Sequence, residues 1–234
     1  MRNLPIMLLL DREAFWKTLR RDGIGWSGVV SMTAFVIVSC AIYGAVMAGW
    51  RSPRLAAYAA VKLPLLFVGS TGIVALFNWM IASVLGSGLS FRQTLALAFA
   101  SMTVAGWILL ALAPVALFFT FTGVPKTETT PADEVAFAYN VMLITHVAAL
   151  ALAGVSGNGI LYNGIRATVR PTCSVGSLFA SWIALFAIVG CQLSWILRPF
   201  VGSPFLEVAL FRDDALQGNF FEYVFLRLIP NLFN

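Results

Sequence analysis

"TLALAFASMTVAGWILLALAPVALFFTF", residues 94–121, contains no Asp, Glu, Lys or Arg. A helix rises about 1.5 Å per residue, so about 20 apolar residues cross the roughly 30 Å of a bilayer's hydrocarbon. The run does not alternate apolar with polar, as a barrel strand does. Lipid offers no partner to backbone groups, so a spanning segment of this kind must be helical. The stretch reads as a membrane-spanning helix, with a kink expected at Pro114.

Four more segments meet the same test. With the first one, whose full extent is 92–121, the spans are 25–49, 56–86, 92–121, 135–163 and 175–197. Composition agrees: 60% of the 234 residues are hydrophobic and 11% are charged. A soluble domain carries about 25% charged residues, so this chain could not cover a water-exposed surface. The fold class is therefore an all-α integral membrane protein, a bundle of five transmembrane helices with amphipathic helices at both ends. It divides into residues 1–24, 25–197 and 198–234. Excess length in the longer segments is absorbed by tilt, kinks and interfacial turns. Lys62 and Pro64 place the first turns of the second span in the interface.

The formal net charge of +5 is read as Arg and Lys anchoring helix ends near headgroups. No basic run with interleaved aromatics marks a nucleic-acid groove, so no nucleic-acid partner is expected. Cys40, Cys173 and Cys191 form no CxxC pair and read as free thiols. Neither a metal site nor a cofactor is implied.

The two ends share a pattern. "LLLDREAFWKTLRRD", residues 8–22, sets Phe15, Trp16 and Leu19 against Arg12, Glu13, Lys17 and Arg20. No small-residue cleavage site follows its apolar run, so it is expected to be retained as an amphipathic helix over 4–22 in the headgroup plane. "NFFEYVFLRLIPNLF", residues 219–233, places Phe220, Phe221, Val224, Phe225 and Leu228 on one stripe that Pro230 ends. The N-terminal segment holds five of the basic residues, which favours a cytoplasmic N-terminus. Five spans then put the acidic 122–134 loop and the C-terminus outside.

All ten acidic residues lie in tails, in connectors or at a span boundary. An ion-coupled transporter commonly keeps a carboxylate near mid-membrane, and a metal-dependent membrane hydrolase needs a His and carboxylate cluster. Neither pattern is present, and no catalytic residue is assigned. His146, the one histidine, shares its face with Ala149, Ala153 and Gly157. It is expected inside the bundle, as an interhelical hydrogen-bonding group or as a proton relay. Asn78, Asn140 and Asn158 are the other buried polar candidates. "AGVSGNGILYNG", residues 153–164, reads either as close helix packing or as an unwound segment lining a pocket with Asn158 and Asn163.

"GCQLSWILRPFVGSP", residues 190–204, ends the last span. Gln192, Trp195 and Pro199 fall on nearly one face. Trp195 suits the interface, Arg198 can snorkel, and Pro199 stops the helix. The segment is either a plain membrane exit or a docking surface. In the second case Arg198 binds a lipid phosphate or a partner carboxylate, and Phe220 and Phe221 complete the site.

The layout over residues 25–197 resembles Yip1-like membrane proteins, a cytoplasmic N-terminus followed by five helices with short connectors. The "LSWILRPFVGSP" exit is similar to a run in uncharacterised bacterial multi-span proteins. The resemblance implies a membrane bundle without a catalytic motif, and a bacterial inner membrane as its location. The first functional expectation is a non-enzymatic scaffold or accessory subunit, with membrane lipids and membrane-protein partners or a homo-oligomer around it. The second is a dimerising permease subunit, whose coupling helices would lie in 86–93 and 163–174. The third is a lipid-acting membrane enzyme, which requires a polar cavity joining His146 to Asn78 or Gln192.

Overall fold

The computed structural model describes residues 3–21, 24–122, 131–202, 207–212 and 215–228. Its helices are α1 (Leu4–Leu10), α2 (Arg12–Arg20), α3 (Trp26–Ala48), α4 (Pro53–Val84), α5 (Phe91–Thr122), α6 (Ala132–Thr168), α7 (Val175–Leu197) and α8 (Phe220–Tyr223), the last running into a π-helical turn, Val224–Leu228. There are no strands among the described residues. Helices α3 to α7 are long and apolar enough to cross a membrane. The protein is an all-α, membrane-like bundle, and its five long helices correspond to the five segments found in the sequence.

α5 is the centre of the bundle and packs on α1, α3, α4 and α6. α4 bridges α3, α5 and α7, while α7 leans mainly on α4. The stripe that α3 buries, Val29, Met32, Val36, Cys40, Tyr43 and Met47, follows the three- and four-residue spacing of one helix face. Small residues set the closest approaches. A Cβ at Gly44 would lie 2.5 Å from the Ala59 carbonyl oxygen of α4, and one at Gly157 of α6 would lie 2.9 Å from the Ser101 carbonyl oxygen of α5. Ser101 Oγ donates to the Gly157 carbonyl at 2.8 Å, so that crossing is also hydrogen-bonded.

α4 and α5 run through Pro64 and Pro114 as single helices. The Gly- and Asn-rich stretch 153–164 is helical throughout, with α6 continuing to Thr168. This is the packing reading of that stretch and not the unwound one.

The N-terminal stretch departs from the expectation of one interfacial helix. It breaks at Asp11 into α1 and α2, and the Asp11 carboxylate accepts from the Ala14 N–H at 3.0 Å as the N-cap of α2. The predicted apolar face is correct, but Phe15 and Leu19 are buried against the bundle and not against lipid. Two side chains fix this dock. Gln93 Nε2 donates to the Leu19 carbonyl at 3.2 Å, and Trp107 Nε1 donates to the Pro5 carbonyl at 3.1 Å. On the exposed face Lys17 lies 2.7 Å from Glu13 and holds its carboxyl below the ordinary carboxylate range.

Candidate functional site at the C-terminal cap

The chain after α7 does not leave the bundle. Ser52 caps α4 by accepting from the Leu55 N–H at 3.1 Å, at the end of the bundle where residues 198–202 form a strap. Three carbonyls of that strap each receive a side-chain donor from a different part of the fold. Lys62 Nζ of α4 donates to Pro199 at 3.1 Å, Trp50 Nε1 of the α3–α4 connector donates to Val201 at 3.0 Å, and Tyr139 Oη of α6 donates to Gly202 at 2.7 Å. Phe200 and Val201 pack onto the apolar core of this end. A backbone at the rim of an apolar bundle must satisfy its polar groups somewhere, and these donors do so.

The sequence points to an interfacial first turn for Lys62. It lies in the third turn of α4, against the strap, and is 1% exposed. Its ammonium also lies 5.3 Å from the centre of the Phe211 ring. A cation inside a span is a functional flag by itself, and that signal was present in the sequence.

The docking residues proposed from the sequence do come together. Gln192 Oε1 accepts from the Phe220 N–H at 3.2 Å, which ties α8 to α7. The Trp195 and Tyr223 rings lie 5.2 Å apart. The Arg198 guanidinium stacks 3.4 Å from the centre of the Trp195 ring. Phe220 and Phe221 meet edge to face and are half-buried. Trp195, Arg198, Arg212, Asn219, Glu222 and Tyr223 line a cleft of about 390 Å³. Arg212 and Tyr223 were not singled out from the sequence. Phe211, Leu216, Phe225 and Leu226 of the same C-terminal segment are exposed. The side chain of Leu228, and Pro230, fall outside the described residues.

The buried polar candidates divide. His146 is buried, and its Nδ1 shares a 3.1 Å hydrogen bond with Tyr43 Oη of α3. Asn78 is buried and Asn158 half-buried, and together with Thr71, Ser101 and Trp182 they line a small pocket of about 30 Å³ between α4, α5, α6 and α7. That volume suits about one water molecule. Neither His146 nor Gln192 lies in its wall. Asn140 was expected to be buried and is exposed on α6, because it lies on the face of α6 turned away from α5. Asn163 is exposed as well.

The α4–α5 and α6–α7 connectors, residues 85–90 and 169–174, contain no helix, and the Arg170 N–H donates to the Ser87 carbonyl at 3.1 Å between them. Cys40, Cys173 and Cys191 are free thiols. Among the described residues no group of three or more His, Cys, Asp or Glu side chains is placed to hold a metal ion. Comparison of the chain with protein-family models, with curated proteins and with solved structures finds no match.

Proposed function

We propose that this chain is a non-enzymatic scaffold or accessory subunit of a larger membrane complex, seated in a bacterial inner membrane with its N-terminus cytoplasmic. One observation carries the reading: the C-terminal segment is stitched to the bundle end and still exposes Phe211, Leu216, Phe225 and Leu226. A fixed surface bearing apolar anchors is what a partner helix or domain requires. The small pocket at Asn78 does not reach His146 or Gln192, which removes support from a lipid-acting enzyme.

The test is purification from native membranes in mild detergent or nanodiscs, followed by mass spectrometry of what accompanies the protein. Stoichiometric protein partners that are lost on Phe225→Ala with Leu226→Ala are expected. A homo-oligomer without any other protein would overturn the accessory-subunit reading.

A dimerising permease subunit is the second reading. It is favoured by the low burial of α6 and α7, 17% and 11% of their apolar windows against 39% for the other three. A second copy would cover those faces. The helix-free connectors weigh against it, since coupling to a motor domain needs a rigid lever on that side.

A further inference from the structure

We propose that α1 is a wedge set in the hydrocarbon of one leaflet, with Ile6, Leu9 and Leu10 against lipid acyl chains, while α2 stays at headgroup level. The end of the bundle where α5 begins then carries a part-span beside the five full ones. The inference is independent of the scaffold reading and of which side of the membrane that end faces.

Depth is read from the two docking bonds. Gln93 Nε2 holds the Leu19 carbonyl of α2, and Trp107 Nε1 holds the Pro5 carbonyl of α1. At about 1.5 Å per residue, Trp107 lies about 21 Å beyond Gln93 along α5. Both side chains lean back toward the start of the helix, so their tips keep that separation. The one charged residue of α5, Arg92, stands next to Gln93, and none follows it to the end of the helix. Water therefore ends near Gln93, and Pro5 lies on the lipid side of that level. A second contact agrees. A Cβ at Gly28 would meet Leu4 Cδ1 at 2.5 Å. Gly28 is already inside α3, which at 23 residues is about as long as the hydrocarbon is thick.

The segment itself suits this placement. α1 carries no charged side chain, and the charges Asp11, Arg12 and Glu13 open directly after it. Leu4, Pro5 and Leu8 are buried on the bundle, whereas Ile6, Leu9 and Leu10 are 43%, 48% and 78% exposed. Acyl chains cover such side chains without the cost that water imposes. The exposed face of α2 holds Arg12, Lys17 and Arg20 instead, which belong among headgroups.

The backbone ends agree with the direction of the wedge. Lipid gives no partner to the N–H groups that a helix start leaves free, and Pro5, in the first turn of α1, has none. At the other end the Leu8 carbonyl receives Arg12 Nε at 3.3 Å, and the Met7 carbonyl receives the Asp11 N–H at 2.8 Å. The end with charged neighbours faces the headgroups, and the Pro5 end goes deeper.

The experiment uses the full chain, with Cys40, Cys173 and Cys191 replaced by Ala, in vesicles of dioleoylphosphatidylcholine and dioleoylphosphatidylglycerol. A nitroxide is attached in turn at Ile6→Cys, Leu10→Cys and Lys17→Cys. Electron paramagnetic resonance measures its collisions with oxygen, which concentrates in hydrocarbon, and with a water-soluble nickel chelate. Oxygen is expected to exceed nickel at Ile6→Cys, the ratio to fall at Leu10→Cys, and the order to reverse at Lys17→Cys. A melting curve equal to that of the cysteine-free parent shows that each variant is folded. If Ile6→Cys melts early, Leu9→Cys replaces it with the same expectation. Nickel exceeding oxygen at the α1 position overturns the proposal by placing α1 in water or among headgroups. Low collision rates with both reagents overturn it too, by showing that protein, from a partner or a second copy of this chain, covers the face. An oxygen excess at Lys17→Cys as well would overturn it by putting α2 in lipid with α1.

Discussion

His146 and Tyr43 show what a single buried polar contact does in this bundle. Their hydrogen bond joins α6 to α3 across the core, and such contacts in membranes average about 0.6 kcal/mol. Tyr43→Phe and His146→Leu, alone and together, are expected to give a coupling energy of that size in a double-mutant cycle on the solubilised protein. Zero coupling would mean that the pair only packs. The glycines offer a sharper contrast. Gly44→Ala drives a methyl into the Ala59 backbone and is expected to destabilise by about 1–3 kcal/mol, the range for overpacking. Gly72→Ala meets nothing within 4 Å and is expected to be neutral or to stabilise by up to about 1 kcal/mol through helix propensity. Thermal melts in one detergent compare the two. The environment of His146 was legible in the sequence because small residues followed it at helical spacing. That of Asn140 was not, since the polarity of an Asn does not reveal which side of α6 it occupies.

At the level of elements, the five long helices were legible because hydropathy alone specifies them, and the structure adjusts their ends by a few residues. The terminal elements were half legible. The pattern of α2 gave its apolar face correctly, but amphipathicity does not distinguish a lipid surface from the flank of a bundle. Asp11 reads in the sequence as one charge of an amphipathic helix, whereas its carboxylate starts a new helix. Asp11→Ala is expected to cost about 1 kcal/mol, the usual loss of an N-cap, seen as earlier proteolysis within residues 12–21. The Glu13–Lys17 pair is present above the ordinary carboxylate range and fades as the pH falls through the lowered pKa of Glu13. The strap was the least legible element. Its donors, Trp50, Lys62 and Tyr139, stand 151, 137 and 63 residues before their acceptors, and no local pattern links positions so far apart. Trp50→Phe with Tyr139→Phe removes two of the three donors, each worth about 1 kcal/mol. Faster tryptic cleavage after Arg212 is expected, with the melting of the helical core unchanged.

For the whole molecule, five spans predict that α2 and the cap lie on opposite sides of a membrane. In a chain lacking Cys40, Cys173 and Cys191, an impermeant maleimide added to intact cells is expected to label Leu216→Cys and not Lys17→Cys. The reverse pattern would invert the orientation, and labelling of both would break the five-span topology. The stitched strap also has a meaning in time. Lys62 is made with α4, but the carbonyl that receives its ammonium lies 137 residues later. Until the end of α7 has been synthesised, the half-built protein carries that ammonium without its native acceptor. The strap can therefore be fastened only after residue 199 has been made, late in the synthesis of the chain.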